Sequence, residues 1–208
     1  VKAMQVTSRA RREICHDAQD TTQISQVMET NTFNHYLKLF NSGFNSIPNE
    51  PDPPSQGATT HVSILDNQGN VASVTTTNGQ GCGYVIPEMG IMLNNMLGEE
   101  DLNPMGFHLW TRQQRLPTMM APTVVIGEKG VELVLGSGGS NRLRSAISQV
   151  IINFFVKGMD LKTAVHAARI HLEDNVLHFE PDTQLEDLPG DIQLHSWDDQ
   201  NLFFGGVN

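Results

Sequence analysis

Basic residues and cysteines are scarce in this chain of 208 residues. It has 13 Lys and Arg residues against 23 Asp and Glu residues, so the net charge is −10 at pH 7. Sequence-independent binding to nucleic acid is therefore disfavoured, because an acidic chain adds repulsion instead of releasing counterions. The two cysteines, Cys15 and Cys82, lie far apart without a CxxC pair. This spacing excludes a zinc framework and a disulfide scaffold.

Long apolar runs are also absent. No apolar stretch approaches the roughly 18 residues that a membrane-spanning helix needs. Hydrophobic residues make up 38% of the chain and charged residues 17%, which is typical of a globular protein of one domain, or of one domain with a short arm. The chain begins at Val1 without Met or a signal-like segment and ends in the apolar, glycine-containing run 202–208. We therefore expect it to be a fragment of a longer protein.

The first 58 residues are dominated by a helix and a proline-rich segment. Apolar residues at helical spacing predict a helix over 1–17, with charged residues mostly on the opposite face. A short apolar patch lies within 33–40, after a polar stretch. The segment 45–57 holds four prolines between Pro48 and Pro54, which excludes a helix or a central strand and predicts a linker.

The residue pattern changes after Ala58, where β-branched residues begin to alternate with other residues. The stretches 59–65 and 71–77 predict two strands joined by a turn at Asp66–Gly69, and therefore a hairpin. A second hairpin is predicted from 123–126 and 131–135 by the same alternation.

Helices follow the second hairpin. A helix after Arg142 is predicted to bury one apolar stripe and to end at Gly158, which suits the C′ position; its stripe comprises Ile147, Val150, Ile151, Phe154 and Phe155. Asp160 can cap a further helix, from Leu161 to about Ala168. Short strands are predicted at 170–172 and 176–179. Hairpins followed by helices indicate an α+β fold in which helices cover an antiparallel sheet.

Thr59 opens the first strand directly after the linker. If the chain were cut before it, this residue would carry both a nucleophilic hydroxyl and a free α-amine. An α-amine has a pKa near 8, so much of it can accept the hydroxyl proton at neutral pH. A Thr at the start of a strand is also common for structural reasons, and the residues alone leave both interpretations open.

The run Gly136-Ser137-Gly138-Gly139-Ser140 stands between a strand and a helix. Its backbone N–H groups could point at an anion or an oxyanion, or the run could be a tight turn. The spacing matches neither GxGxxG nor GxxxxGK[ST], which disfavours a nucleotide site.

Amides and carboxylates cluster at Asn94-Asn95 and at Gly98–Asp101. They could bind a substrate ammonium group, or they could form a helix start or a solvated turn. The eight histidines include no HExxH pattern, so the sequence predicts no metal site. His61 is expected to face a packing layer and Cys82 to be a small buried residue. Five methionines are expected to fill the core, namely Met89, Met92, Met96, Met119 and Met120.

Taken in order, several of these segments resemble the γ-glutamyltranspeptidase family, over about Gly57 to Phe204. The matching segments are 59–63, 66–69, 73–77, 90–95, 121–123 and 136–142. The resemblance implies an N-terminal-nucleophile hydrolase fold with αββα layers, seen here as a partial chain. It also implies a precursor that cuts itself before the nucleophilic Thr. Residues 1–58 would then be the end of the large subunit and the segment before the cut, and residues 59–208 the catalytic small subunit.

The resemblance assigns roles residue by residue. The expected catalytic residues are Thr59 as nucleophile, Thr77 as the hydroxyl that supports it, and Gly138 and Gly139 as the oxyanion hole. The expected substrate-binding residues are Asn78, Asn94, Asn95, Glu99 and Thr118. Glu99 stands where better-known members have an Asp that binds the α-ammonium group, and Thr118-Met119 where they have a Ser-Ser pair.

This chain also departs from the family's pattern. Met96 replaces a common pocket Gln, Asn78 lies in a shorter loop, and the Arg that pairs with the α-carboxylate would lie upstream of Val1. The implied activity is γ-glutamyl transfer or hydrolysis on amides such as glutathione, and it needs no cofactor. The partners would be a γ-glutamyl donor, an acceptor amine or water, and the large subunit of the same precursor.

Two alternatives remain open from the sequence. One is acylase chemistry on another amide, such as a β-lactam side chain, which relatives perform and which the altered pocket at Met96 and Met119 favours. The other is an inactive, uncleaved homologue that acts as a binding subunit. The family is often periplasmic or extracellular, and no compartment is predicted for this chain.

Overall fold

The computed structural model describes residues 1–14, 25–42, 59–103, 106–173, 175–186, 188 and 192–208. The α-helices are α1 (Lys2–Ile14), α2 (Thr30–Ser42), α3 (Leu143–Ile151) and α4 (Leu161–His166). The strands are β1 (Thr59–Leu65), β2 (Val71–Thr77), β3 (Val85–Ile86), β4 (Ile91–Met92), β5 (Thr123–Gly127), β6 (Gly130–Leu135), β7 (Ser137–Gly138), β8 (Ile170–Glu173), β9 (Val176–Phe179), β10 (Gln193–Ser196) and β11 (Gly206–Val207). Strands and helices are thus mixed in the described chain. The linker predicted at 45–57, with Ala58, lies outside the described residues.

The predicted hairpin of β1 and β2 is confirmed. The strands pair antiparallel from Thr59 opposite Thr77 to Leu65 opposite Val71. The turn between them is held by Asp66, whose Oδ1 accepts hydrogen bonds from the main-chain N–H groups of Gln68 and Asn70, both at 2.8 Å. The hairpin therefore ends where the sequence supplies an Asx-type acceptor.

The core forms between the second hairpin and the helices after it. Its buried members are Leu133, Leu135, Ala146, Ile147, Val150, Ala164 and Val207. Strands β5 and β6 pair antiparallel as predicted, and the apolar stripe of α3 joins the same core cluster as β6. Gly158 ends the helical segment with a φ of +67°, and Asp160 caps α4 by accepting from the N–H of Thr163 at 3.1 Å. Both helix-boundary signals predicted from the sequence, the end at Gly158 and the N-cap at Asp160, are confirmed.

The strands do not join into one antiparallel sheet. Within the described residues they form five small sheets, of which the largest has the order β10-β9-β8. Strand β10 runs parallel to β9, a pairing that the sequence analysis does not predict. Parallel pairing requires a crossover connection, and local alternation carries no signal for it.

Helix α2 is a second feature that the sequence analysis does not predict. The apolar patch at 33–40 lies on this helix, and Tyr36 donates its hydroxyl to Glu13 Oε2 of α1 at 2.8 Å. From α1, Arg11 Nη2 bonds Asp101 Oδ1 at 3.0 Å. The first helices are thereby connected to the region that follows β4.

Four burial predictions are wrong. Phe155 is 40% exposed because it lies in a π-helical turn, Ile152–Val156, whose i→i+5 bonding puts more residues in each turn and moves it off the buried stripe. Met89 is 67% exposed, since it lies in the turn between β3 and β4, and Met92 in β4 is 36% exposed. Cys82 is exposed, because the glycine loop that contains it lies at the surface.

No helix in the described part of the chain is long and apolar enough to cross a membrane.

Candidate active site

Thr59 and Thr77 face each other at the open end of the first hairpin. They are cross-strand partners, and their Oγ1 atoms are 2.9 Å apart, so that either hydroxyl can donate. Thr77 Oγ1 also accepts from the N–H of Gly79 at 3.0 Å. The hairpin register thus places one hydroxyl where it can orient the other.

His61 supports this end of the hairpin from within. It is 5% exposed, and its ring nitrogens lie 2.7 Å from Thr75 Oγ1 and 2.9 Å from Ser63 Oγ. Burial lowers the pKa of His61, which favours the neutral ring. The expectation that His61 faces a packing layer is confirmed.

The glycine run packs directly against Thr59. Strand β7 pairs with β11, so that Gly138 lies opposite Gly206. A Cβ at Gly138 would approach the carbonyl oxygen of Thr59 to 3.0 Å. Gly139 has a φ of +125°, and a Cβ there would come within 2.9 Å of Gly205 Cα. The backbone of the glycine run therefore lies so close to Thr59 and Gly205 that side chains at Gly138 and Gly139 would obstruct the packing.

A loop after β2 brings an amide and a carboxylate next to the threonines. Asn95 Oδ1 accepts from the N–H of Gln80 at 2.7 Å, and the carbonyl of Asn78 accepts from the N–H of Asn95 at 3.2 Å. Gly79 is buried with a φ of +62°, and a Cβ there would collide with Asn95 Oδ1 and Glu99 Oε1. Gly79 therefore leaves the space that the Glu99 carboxylate occupies.

These groups open into one cleft of about 290 Å³. Its lining comprises Thr59, Thr77, Gly79, Gln80, Asn95, Met96, Gly98, Glu99, Glu100, Asp101, Leu102, Phe107, Thr118, Met119, Met120, Ser140 and Leu143. Three carboxylates but no Lys or Arg belong to this lining within the described chain. The arrangement favours a cationic group on the acidic side and an apolar group against the methionines.

The structure brings five of the nine predicted site residues to the cleft, namely Thr59, Thr77, Asn95, Glu99 and Thr118. Gly138 and Gly139 lie behind Thr59 and lead to Ser140, which lines the cleft. Asn78 reaches the loop through its main-chain carbonyl. Asn94 is exposed and accepts from the N–H of Met96 at 3.1 Å.

Several cleft residues differ from what the sequence analysis expects. The residues alone predict Met96, Met119 and Met120 as core residues, whereas the resemblance places Met96 and Met119 at the pocket; all three line the cleft. Phe107 carries no prediction, and Ser140 is predicted only as the last residue of the glycine run. The position of Ser140, directly after Gly138 and Gly139, is the signal that could have identified it.

No group of three or more His, Cys, Asp or Glu side chains suited to a metal ion exists among the described residues.

Comparison with known proteins places this arrangement in a family. The family model for gamma-glutamyltranspeptidase matches residues 1–195. The chain belongs to the γ-glutamyltranspeptidase family. The structure of the gamma-glutamyltranspeptidase from Pseudomonas nitroreducens, complexed with L-DON, superimposes with a TM-score of 0.57 at 26% identity. The alignment covers 71% of this chain and 86% of that one, and it confirms the predicted α+β fold of the N-terminal-nucleophile hydrolase type.

Curated relatives include enzymes of two names. The "Glutathione hydrolase proenzyme" of Bacillus subtilis is 36% identical over 124 residues, which is 59% of this chain and 21% of the relative. The "Acylase ACY 1 proenzyme" of Pseudomonas sp. strain SE83 is also 36% identical over 124 residues, which is 59% of this chain and 22% of the relative. The chain thus spans about a fifth of the length of these relatives.

Proposed function

We propose that this chain is part of a γ-glutamyltranspeptidase-like precursor that hydrolyses or transfers γ-glutamyl groups from amides such as glutathione. Residues 1–58 would end the large subunit, and residues 59–208 would form the small subunit after a cut between Ala58 and Thr59. Membership of the family and the relatives named as proenzymes support this division. The large-subunit part of the same precursor would be the protein partner, and no cofactor takes part.

One observation carries the proposal. The hydroxyl of Thr59 is 2.9 Å from that of Thr77, the main chain of Thr59 lies beside Gly138, and the residue lines an acidic cleft. A nucleophile, a hydroxyl that orients it and a backbone segment free of side chains are therefore together at one point. These are the parts that acyl transfer needs.

The proposed chemistry uses Thr59 twice. In the precursor its hydroxyl attacks the carbonyl of Ala58 and the C–N bond breaks, which releases the α-amine of Thr59 and leaves an ester. Water hydrolyses this ester to the Ala58 carboxylate and frees the Thr59 hydroxyl. That amine then takes the hydroxyl proton as Oγ1 attacks the γ-carbonyl of the donor. The N–H groups of Gly138 and Gly139 stabilise the oxyanion, and the leaving amine takes the proton. Water or an amine acceptor then releases the acyl group.

The cleft would bind the γ-glutamyl donor through complementary charge. The carboxylate of Glu99 would pair with the α-ammonium group, with the loop of Asn78 and the amides of Asn94 and Asn95 around it. The hydroxyl of Thr118 would contact the α-carboxylate, next to the upstream Arg expected from the family. Glu99 and Glu100 in the lining support the ammonium site, while Asp101 beside them is paired with Arg11.

The test is substitution of Thr59 in the full-length precursor. Thr59→Ala removes the only hydroxyl that serves both steps, so we expect loss of precursor cleavage and of γ-glutamyl anilide hydrolysis together. Thr59→Ser should keep both at reduced rates. Denaturing gels with N-terminal sequencing measure the first step, and release of the aniline measures the second.

Thr60→Ala is the matched control. Thr60 is exposed on the opposite face of β1, so this variant should still cut before Thr59 and turn over. If Thr59→Ala protein still splits at this bond or still hydrolyses the anilide, Thr59 is not the nucleophile. An intact, inactive wild-type protein would instead favour a binding subunit.

The apolar side of the cleft favours acylase chemistry as a second candidate. Met96, Met119, Met120 and Phe107 line it, and one relative is named an acylase. The same Thr59 chemistry would then act on an amide with a less polar acyl group, such as a β-lactam side chain. Comparison of kcat/KM for a γ-glutamyl anilide and for such an amide decides between the two substrates.

A further inference from the structure

Asn103 is a buried side chain directly behind the cleft. It is 6% exposed. Its Nδ2 group donates to the carbonyl oxygens of Glu99, at 2.6 Å, and Leu97, at 3.0 Å. Its Oδ1 accepts from Trp110 Nε1 at 2.9 Å. Both amide protons and the amide oxygen of Asn103 are therefore used.

The segment that Asn103 holds is irregular. Glu99 has an extended backbone, with φ −86° and ψ 124°, between two 3₁₀ turns, Met96–Gly98 and Glu100–Leu102. The turns themselves give Glu99 two main-chain bonds, from its N–H to the carbonyl of Met96 at 3.2 Å and from the N–H of Leu102 to its carbonyl at 3.1 Å. The bond from Asn103 to the same carbonyl is shorter, at 2.6 Å. The side chain of Asn103 spans the junction, because it bonds one carbonyl in the first turn and the carbonyl of Glu99 itself.

The position of Glu99 matters because its carboxylate has little room. Its Oε1 lies in the space that the absent side chain of Gly79 leaves. A small displacement of the Glu99 main chain would therefore move the carboxylate out of the cleft or against this loop.

We propose that Asn103 is a positioning residue, which holds the main chain of Glu99 so that its carboxylate faces the ammonium group of the donor. This inference rests on the proposed function. In the proposed function Asn103 contacts no substrate and acts only through Glu99. Trp110 fixes the orientation of the Asn103 amide, so that the NH₂ group and not the oxygen faces the two carbonyls.

The first experiment replaces Asn103 by Asp in the full-length precursor. The carboxylate keeps an acceptor for Trp110 and removes both donors to the loop. We expect KM for a γ-glutamyl anilide to rise about tenfold or more, as the loss of a buried hydrogen bond implies, with kcat changed much less and cleavage before Thr59 intact. Such a split indicates lost substrate binding.

Trp110→Phe is the second variant, and it tests the proposal even if the Asn103→Asp protein does not fold. It removes the indole N–H and keeps most of the ring, so KM should rise in the same direction by a smaller factor. An unchanged KM in both variants, as folded and self-cleaved proteins, overturns the proposal.

Asn153→Ala is the matched control. Asn153 is also 6% exposed, and its Nδ2 group donates to the carbonyl of Ala164 at 3.5 Å, in the helical region away from the cleft. We expect this variant to lower the thermal midpoint and to leave KM at the wild-type value. A similar rise of KM in this control would mean that the effect is general loss of packing, and would overturn the proposal.

A double-mutant cycle with Glu99→Gln separates this inference from the proposed function. If Asn103 acts through Glu99, adding Asn103→Asp to Glu99→Gln should raise KM little further. Additive effects overturn the positioning role. If Glu99→Gln raises KM and Asn103→Asp does not, only the positioning role fails. If Glu99→Gln leaves KM unchanged, the ammonium site in the proposed function fails, and the positioning role with it.

Discussion

At the scale of single residues, glycine gives this site its geometry. Gly79 and Gly69 both have positive φ values, +62° and +83°. A Cβ at Gly79 would collide with Asn95 and Glu99, whereas a Cβ at Gly69 would meet nothing within 4 Å. The same substitution at the two positions therefore separates backbone strain from obstruction of the cleft.

Gly79→Ala should raise KM for a γ-glutamyl anilide, because the Glu99 carboxylate must move to admit the methyl group. Gly69→Ala carries a similar backbone cost of about 1 kcal/mol and should lower the thermal midpoint without a change in KM. Steady-state kinetics and thermal unfolding of the full-length proteins measure both. If Gly79→Ala and the wild type have the same KM, the Glu99 carboxylate tolerates the displacement.

A substitution at Gly139 tests the segment that is proposed to form the oxyanion hole. Gly139→Val places a β-branched side chain at a φ of +125°, against Gly205, in the segment proposed to donate N–H groups. We expect kcat to fall by about 100-fold or more, the usual cost of a lost oxyanion donor, with a smaller change in KM. A folded variant with full activity would show that the run is only a turn.

At the scale of elements, an ion pair between Arg11 and Asp101 connects α1 to the cleft. Among the described residues, the other ion pair is Arg9–Glu13. Arg11 and Asp101 are 33% and 20% exposed and lie 90 positions apart, whereas Arg9 and Glu13 are 35% and 41% exposed within one helix. If the chain is cut before Thr59, the first pair joins the two subunits.

Arg11→Ala should therefore destabilise the processed protein by about 1–3 kcal/mol, since it leaves a partly buried carboxylate without its charged hydrogen bond. Arg9→Ala, in the same helix, should cost about 0.5 kcal/mol or less, as is usual for an exposed i,i+4 pair. Thermal midpoints of the two variants give the comparison. A loss for Arg11→Ala no larger than for Arg9→Ala would mean that the connection contributes no stability.

The elements also mark the limit of what the sequence predicts. The strands at 59–65 and 71–77 have the predicted bounds, because alternation and the Asp66 turn are local signals. Helix α2 is missed although Phe33, Tyr36, Leu37 and Phe40 follow the i, i+3, i+4, i+7 spacing of a helix, because the polar residues around them are typical of a loop. The pairing of β10 with β9 is missed because it depends on residues far apart in the chain.

The same limit applies to the candidate site: local patterns predict some of its residues, and contacts between distant segments determine the others. Thr59, Thr77 and the glycine run follow from motifs and from the resemblance, because each is a contiguous pattern. The roles of Gly79 and Asn103 do not follow, since each depends on a side chain from another segment that packs against it. The residues alone indicate Met96 and Met119 as core residues, because a single sequence does not distinguish an apolar wall of a cleft from an apolar interior. Only the resemblance places them at the pocket.

At the scale of the whole molecule, a buried histidine couples folding to pH. His171 is 5% exposed, and its Nδ1 lies 2.7 Å from Ser145 Oγ. Burial, together with the nearby charges of Arg142, Arg144 and His178, lowers the pKa of His171 from 6.5 to about 3. The folded protein therefore keeps this ring neutral, whereas the unfolded chain protonates it near pH 6.5.

The stability that the neutral ring provides is present above pH 6.5 and is lost as the pH falls from 6.5 towards 3, because the unfolded state binds the extra proton first. The slope approaches about 1.4 kcal/mol per pH unit for one proton. The lowered pKa values of Asp66 and Asp160 act below this range, since their unfolded carboxyl groups protonate near pH 4.

His171→Asn tests this coupling, because Asn keeps a polar atom near Ser145 and cannot titrate. Between pH 6.5 and 5 the variant should lose about 2 kcal/mol less stability than the wild type, measured by denaturant unfolding across the range. His108→Asn, at an exposed position whose φ of 64° suits Asn, should keep the wild-type pH dependence. Parallel curves for wild type and His171→Asn would contradict the coupling, because the ring would then titrate alike in the folded and unfolded chains.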